Sequence, residues 1–269
     1  MRRAALLLLV PLGLVAAACG GSGGSKAAGS SGSASVVQSG PSDTTYVNQA
    51  IAKGAKKPVH AVVSGLVDAA GQQVHMSGIA DVDPKAQTGT IHVSVQLAGQ
   101  QVPLDEVLDG KTVYISSSFF SSFLPSGKKW LKLNVASVSK TFGIAAFALT
   151  SQPGAVPPLK DVHKAGTATI DGVQTTEYGA QVDRAKMSPA AKAALGGASV
   201  HFGAIDVWVG SDGYVHRARI RTSAKSGGQK ANVTVTSTMS NYGETVHVTV
   251  PPASQTVDAG KVGIPGFSS

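Results

Sequence analysis

Cys19 is the only cysteine of the 269-residue chain. Because a single thiol has no partner within the chain, it can form neither an internal disulfide nor a cysteine-based metal site. It follows Ala16, Ala17 and Ala18, which end an apolar run that begins at Ala4. The position of the thiol therefore points to chemistry at a processed N-terminus.

The first residues have the arrangement of an export signal. Two arginines precede an apolar stretch from Ala4 to Val15, which is shorter than the roughly 20 residues of a membrane-spanning helix. Small residues before a cysteine resemble the bacterial lipobox, although alanine stands where lipoboxes usually carry leucine. We predict a signal peptide over residues 1–18 and a diacylglyceryl, palmitate-type anchor on Cys19, since two acyl chains anchor stably. The alternative is an ordinary secreted protein cut at an Ala-x-Ala site.

A low-complexity linker follows the cysteine. Residues 20–35 are almost entirely Gly, Ser and Ala, with Lys26 as the one charge, and such a composition is typical of a flexible coil. We predict that residues 19–41 form the lipidated cysteine and this linker, and that residues 42–269 form a single domain. The linker either extends the reach of the domain or serves as a passive spacer.

The charge of the chain is modestly basic. Removing the two arginines of the leader lowers the formal charge from +8 to +6. Such an excess suits a protein beside anionic lipid or wall polymer, and it equally suits simple solubility. No segment interleaves basic and aromatic residues in the way nucleic-acid modules do, so we expect no nucleic-acid partner.

The residues that could catalyse a reaction are scattered. The predicted domain has no Gly-x-Ser-x-Gly elbow, and the chain has no His-Glu-x-x-His zinc motif. Pairing about Asp83-Pro84-Lys85 would place His75 opposite roughly Ser94 and make His75 and His92 at best diagonal neighbours, a solvated pair rather than a metal site. We therefore predict no enzyme, no metal and no cofactor. Three arginines alternate on one strand, either as a solvated face or as a site for anionic headgroups: Arg217, Arg219 and Arg221.

The domain has the period-two pattern of β-strands. The run Thr88 to Ala98 places Ile91, Val93 and Val95 on one face and polar residues on the other, which is typical of an antiparallel strand with one buried face. Turn residues such as Asp171-Gly172 separate such runs. We predict an α+β fold with about ten or eleven strands in one large antiparallel sheet or open barrel. The same alternation recurs at Val74–Val82, Leu131–Val135, Ile205–Val209, Val233–Met239 and Val246–Val250.

Three helical segments are predicted between the strands, and residues 152–163 are predicted as a loop with a helical turn. The first two segments hold five of the seven phenylalanines, which we expect to lie against the apolar face of the sheet. The segments are Ser117–Leu124, Val138–Leu149 and Ser188–Leu195.

The interior of such a fold is either packed or hollow. Close packing needs bulky side chains, whereas many candidate inward positions here are Ala, Gly, Val or Met, and aromatic residues make up 5% of the chain. This composition favours a cavity that could take an acyl chain. A filled core of small residues is the alternative.

An ordered set of segments resembles the LppX/LprA/LprF/LprG family of actinobacterial lipoproteins, over about residues 43–257. The resemblance implies a LolA-like half-barrel sheet covered on its concave face by short helices, with a hydrophobic pocket for lipid acyl chains. It also implies a role in moving or presenting glycolipids and related lipids at the cell envelope. The segments are Leu108–Ile115, Phe119–Leu133, Gly172–Tyr178, Val207–Gly213 and Asn241–Glu244.

The resulting hypothesis is a lipid-binding protein on the extracytoplasmic face of the membrane. Its partners would be a lipid or glycolipid, the cytoplasmic membrane through acylated Cys19, and an envelope lipid transporter. The alternatives are a surface-tethered structural or interaction lipoprotein with a packed core, and an envelope hydrolase. The predicted pocket residues are Val93, Val95, Phe119, Phe120, Phe123, Leu124, Phe142, Phe147 and Val207.

Overall fold

A single twelve-stranded sheet dominates the computed structural model. The structure describes residues 41–69, 72–97, 99–134, 156–187, 201–226 and 229–262. The elements are α1 (Pro41–Gly54), β1 (Val59–Ala69), β2 (Gln72–Asp83), β3 (Thr88–Leu97), β4 (Gln100–Asp109), β5 (Thr112–Ser117), β6 (Trp130–Asn134), β7 (Leu159–Ile170), β8 (Val173–Val182), β9 (His201–Gly210), β10 (Val215–Ser226), β11 (Gln229–Ser240) and β12 (Thr256–Asp258). Short 3-10 turns lie at Ser118–Phe120, Arg184–Lys186, Ala253–Gln255 and Ala259–Lys261.

Two meanders meet in the middle of this sheet. The strand order is β12-β6-β5-β4-β3-β2-β1-β11-β10-β9-β8-β7, so that β1 pairs with β11 where the two meanders join. The pairs are antiparallel except for β12, which runs parallel to β6 at the edge. The predicted large sheet is therefore confirmed as an open mixed sheet, with one strand more than expected.

Strand β3 defines the two faces of the sheet. Ile91 and Val93 are buried whereas His92 between them is exposed, as the alternating sequence predicts. On β2, Ala80 pairs with Ile91 and Gly78 pairs with Val93, so these residues share one face. We call this face, which carries the buried aliphatic residues, the inner face, and the opposite one the outer face.

The β7–β8 hairpin confirms one predicted turn. Asp171 and Gly172 adopt positive φ angles of 48° and 81°, the backbone of a type I′ turn that matches the twist of the flanking strands. Glycine takes this conformation without strain, and aspartate tolerates it better than most residues.

Helix α1 was not predicted. Val47 and Ala50 bury one side of it against the inner face, chiefly at β7. The amide Nδ2 of Asn48 donates to the Leu159 carbonyl oxygen at 2.9 Å, and its Oδ1 accepts from the Leu159 N–H at 2.9 Å. Asn48 thus satisfies backbone groups of β7, the last strand at this end of the sheet among the described residues.

The end of α1 is fastened to the β9–β10 hairpin. The ammonium group of Lys53 donates to the Asp212 carbonyl oxygen at 2.7 Å and lies 3.9 Å from the centroid of the Tyr214 ring. That ring stacks on Tyr242, whose hydroxyl donates to the Val215 carbonyl oxygen at 2.7 Å. Burial is the main cause that raises the pKa of Tyr242 above its usual range, so the hydroxyl stays a donor.

We expect Asn48→Ala to destabilise the domain by about 2 kcal/mol, because it leaves two backbone groups of Leu159 without their partner. Urea unfolding followed by circular dichroism would measure this loss. Gln49→Ala is the matched control, since Gln49 is the exposed next residue of the same helix. Equal stability of the two variants would contradict the assigned role of Asn48.

Two sequence predictions are wrong. The run Val246–Val250 forms no strand, and β7 begins at Leu159, inside the region predicted as a loop. The first error has a topological cause: β12 lies seven strand positions from β11, a distance of roughly 34 Å. The chain from 241 to 255 must cross that distance, so its alternating valines extend the backbone without joining the sheet.

The predicted helices have mixed outcomes. In Ser117–Leu124 the structure has only a 3-10 turn at Ser118–Phe120, which the Ser117 hydroxyl caps by accepting from the Phe119 N–H. The segments Val138–Leu149 and Ser188–Leu195 lie outside the described residues, as does Cys19. The covering of the inner face by short helices therefore stays a prediction.

Candidate functional site

The inner face carries two aliphatic clusters. The larger extends from α1 and β7 across the sheet to Ile91 and Val93 on β3. The smaller surrounds Leu131 at the β5–β6 end and includes Val113 and Ile115. Strand β4 runs between them. The two clusters offer mainly apolar surface, which is what an acyl chain requires.

Small side chains occupy the middle of the inner face. On the central strands, Ala61 pairs with Ala80, and Gly65 pairs with Met76. Ala218 on β10 and Ser237 on β11 continue this pattern across the junction of the two meanders. Bulkier residues lie further out, including Leu159 on the edge strand β7. The small inward residues that the sequence predicts therefore lie at the centre of the sheet.

Three of the predicted pocket residues lie on the inner face. Val93 and Val207 belong to the larger cluster, and Val95 is partly buried against it. Val95 pairs with Met76 on one side and with Val102 on the other. Val207 pairs with Tyr178 and Ala218. Val93 and Val95 lie on β3, five strand positions from Val207 on β9, so the predicted lining spans the centre of the sheet.

The predicted aromatic pocket residues differ in how deeply they are buried. Phe120 is buried in the smaller cluster, and Leu124 packs against it. Phe119 and Phe123 keep 44% and 41% of their surface exposed. The exposed pair therefore lies at the outer margin of the smaller cluster rather than within it. Phe142 and Phe147 lie outside the described residues.

Glu106 lies in the middle of β4, on the inner face between the two clusters. It pairs with Ile91 on β3 and with Ile115 on β5, both of which are buried. Burial raises the pKa of its carboxyl to about 7. The sequence analysis missed this residue, although the alternation Val102, Leu104, Glu106, Leu108 places a glutamate among inward apolar positions.

The raised pKa predicts a pH-dependent stability. Between pH 4.5, the ordinary value, and about 7, folded Glu106 holds a proton that the unfolded chain has released. Stability should therefore fall as pH rises through this window and stay lower above it. We expect Glu106→Gln to be more stable than the wild type at pH 8, by on the order of 2 kcal/mol, and nearly equal to it at pH 4.5. Urea titrations at both pH values test this; a pH-independent difference would contradict it.

The outer face carries charge pairs between strands, and it also exposes the aliphatic side chains of Val62 and Ile79, which are partners on β1 and β2. His60 and Asp81 form a cross-strand pair at 2.8 Å, and His92 and Asp105 form another at 2.8 Å. A recess of about 410 Å³ on this face is lined by hydroxyls, amides and an imidazole, together with the apolar residues Leu66 and Met76. Its polar lining includes Ser64, His75, Ser77, Ser94, Gln96, Gln101, Thr234 and Thr236.

No metal site is found in the described part of the chain. His75 pairs with Gln96 and His92 with Ile79, which places the two histidines four residues apart along the strands, roughly 13 Å. The observed partner of His75 is therefore two residues from the predicted one, roughly Ser94, and the two histidines lie further apart than diagonal neighbours. Among the described residues no group of three or more His, Cys, Asp or Glu side chains could hold a metal ion.

The three alternating arginines lie on the outer face of β10. Arg219 and Arg221 form ion pairs with Asp206 at 3.7 and 2.9 Å. Arg217 and Arg219 also lie over the Trp208 ring, at 5.9 and 5.2 Å from its centroid. These contacts favour a partly paired surface, with the arginine stems shielding the indole from water.

Comparison with known proteins identifies the family of the chain. The family model described as "LppX_LprAFG lipoprotein" matches residues 49–248. The chain belongs to this family. The resemblance predicted from the ordered segments is thereby confirmed.

Among solved structures, this LppX_LprAFG lipoprotein is similar to lipoprotein LppX of Mycobacterium tuberculosis, with 18% identity and a TM-score of 0.43 over 78% of this chain and 100% of that chain. It is similar to LprF of Mycobacterium bovis, with 15% identity and a TM-score of 0.44 over 79% and 98% of the two chains. A LolA superfamily protein of Nitrosomonas europaea gives 8% identity and a TM-score of 0.28 over 78% and 94%. No curated protein sequence matches the chain.

The described portion of this LppX_LprAFG lipoprotein contains no helix that is long and apolar enough to span a membrane.

Proposed function

We propose that the chain is a membrane-anchored cell-envelope lipoprotein whose inner face binds the acyl chains of a lipid or glycolipid, for transport or presentation. The observation that carries the proposal is the inner face itself, where two aliphatic clusters flank a centre of small side chains. The outer face, by contrast, carries polar and charged side chains such as His92 and Asp105, beside the exposed aliphatic residues Val62 and Ile79. Membership of a lipoprotein family adds support.

Burial energies favour a ligand with more than one acyl chain. Each buried methylene contributes about 0.8 kcal/mol, so a chain of about 16 carbons gains roughly 12 kcal/mol when fully buried. Association costs about 4–15 kcal/mol before any net affinity remains. A single chain is therefore marginal, whereas two chains bind stably. On this estimate a diacyl lipid is a better ligand than a free fatty acid.

The proposed pocket contains the residues that the sequence predicts for it. Val93, Val95 and Val207 would line its floor, and Phe120 with Leu124 would close the end at the smaller cluster. The exposed Phe119 and Phe123 would lie where a chain enters. Phe142 and Phe147 complete the proposed set.

Native mass spectrometry after mild purification tests the proposal. We expect a bound lipid of stoichiometric amount, and uptake of a fluorescent acyl probe after that lipid is extracted. A protein that carries no lipid and takes up no probe would contradict the proposal. That result would favour the alternative, a surface-tethered structural or interaction lipoprotein with a packed core.

The anchor is tested separately. We expect the wild type expressed in a lipoprotein-processing host to partition into the membrane fraction, with a mass increased by a diacylglyceryl group. Cys19→Ser should move the protein to the soluble fraction, because it removes the acylated sulfur, while leaving probe uptake unchanged. Intact-protein mass spectrometry of both fractions gives the result. Membrane association of Cys19→Ser would contradict the anchor.

A further inference from the structure

Glu106 is an ionisable side chain among the mostly apolar residues of the inner face. Its two cross-strand neighbours on the inner face are Ile91 and Ile115. Along its own strand, the inner-face residues on either side are Leu104 and Leu108, both packed against the smaller cluster. A ligand extending from one cluster to the other must pass this carboxyl.

A carboxyl in such surroundings needs a partner. Within the described residues, no ion pair or hydrogen bond involves the Glu106 side chain, and its nearest inner-face neighbours are hydrocarbon. Glu106 is half-buried, so its carboxyl has lost part of its hydration without gaining a protein partner among these residues. Because burial raises the pKa of this carboxyl to about 7, much of it is protonated at neutral pH and can both donate and accept a hydrogen bond.

We propose that the Glu106 carboxyl binds the oxygen of an ester or hydroxyl group in the lipid, and so selects an oxygenated lipid over a plain hydrocarbon chain. This inference rests on the proposed function and adds a ligand class to it. A diacylglycerol unit has the required form, since its ester oxygens lie where the chains diverge and one chain could follow each aliphatic cluster.

The position also selects against other lipids. An ionised fatty acid would bring a second carboxylate to a site of low polarity, where like charges repel strongly. A saturated alkane would satisfy the two clusters but leave Glu106 without a hydrogen bond. The neutral oxygenated linkage is the chemistry that satisfies both the clusters and the carboxyl.

The test measures two fluorescent probes on the delipidated full chain: a pyrene-labelled diacylglycerol and a pyrene-labelled alkane of similar chain length. We expect Glu106→Leu to weaken binding of the diacylglycerol about tenfold, the value of one hydrogen bond, and to leave the alkane equal or tighter. Glu106→Gln keeps a donor and an acceptor, so both affinities should stay within about threefold of wild type. Asp105→Leu, on the outer face of the same strand, is the matched control and should change neither affinity.

The outcomes separate the two proposals. If Glu106→Leu leaves the ratio of the two affinities at its wild-type value, the role of Glu106 is overturned while acyl binding stands. If the wild type binds neither probe, both proposals are overturned. Thermal unfolding of each variant shows whether it is folded. If Glu106→Leu is unfolded, the ratio of the two affinities in the isosteric Glu106→Gln variant is used instead. A tenfold change in that ratio would also overturn the inference.

Discussion

Val95→Trp should weaken the binding of a fluorescent acyl probe at least about tenfold, which corresponds to about 1.4 kcal/mol. Val95 is partly buried on the inner face, between Met76 and Val102 on the neighbouring strands. An indole at this position would occupy the space in which an acyl chain is proposed to lie. Because the valine is not fully buried, the larger ring can be accommodated without disrupting the sheet. Fluorescence titration of the delipidated protein gives the affinity.

Gln96→Trp is the matched control for this experiment. Gln96 is the next residue of β3, is exposed and points to the outer face, so the same substitution there should leave the affinity within about twofold. Comparing the pair separates occupation of the inner face from a general effect of tryptophan on β3. Unchanged affinity in a folded Val95→Trp protein would exclude this part of the inner face as the binding surface.

Gly78→Ala should destabilise the domain by about 3 kcal/mol, an unusually large effect for one methyl group. A Cβ atom at Gly78 would collide with the carbonyl oxygen of His92 and lie 2.8 Å from the Cα of Val93. Both are backbone atoms of β3, which cannot move away without breaking the β2–β3 pairing. For a domain of this size the loss corresponds to a decrease in Tm of roughly 6–12 °C. Differential scanning calorimetry measures it.

Gly166→Ala is the control for backbone crowding. It lies within β7, and a Cβ there would meet only the Glu177 carboxylate oxygen, at 3.6 Å, among the neighbouring atoms. We expect its Tm to equal or slightly exceed that of the wild type, because alanine lowers the entropy of the unfolded chain. Similar Tm values for the two variants would contradict the close approach of β2 and β3.

Much of the sheet could be predicted because the local sequence pattern shows which side chains are buried and where the turns lie. Strand β3 has strict alternation and begins at the predicted residue, Thr88. The Asp171-Gly172 turn follows from local backbone chemistry. Local patterns of this kind need no knowledge of distant parts of the chain.

The errors arose where a distant contact decides the structure. The alternation of Val246–Val250 cannot reveal that the neighbouring strands already have partners on both sides. Helix α1 is held by Asn48 on Leu159, which lies 111 residues away. Glu106 was missed for a different reason: only the register of β4 against β3 and β5 shows that its neighbours are Ile91 and Ile115.

Residue-level photocrosslinking with a diazirine-labelled diacylglycerol identifies the face of the sheet that the lipid contacts. Strands β3 and β4 present alternate residues to opposite faces, so each labelled position identifies the face that the lipid contacts. The account predicts labelling at Val93, Val95 and Leu104, and none at the outer-face residues His92 and Gln96. Labelling confined to the outer face, or no labelling above that of a denatured control, would contradict binding of acyl chains by the inner face.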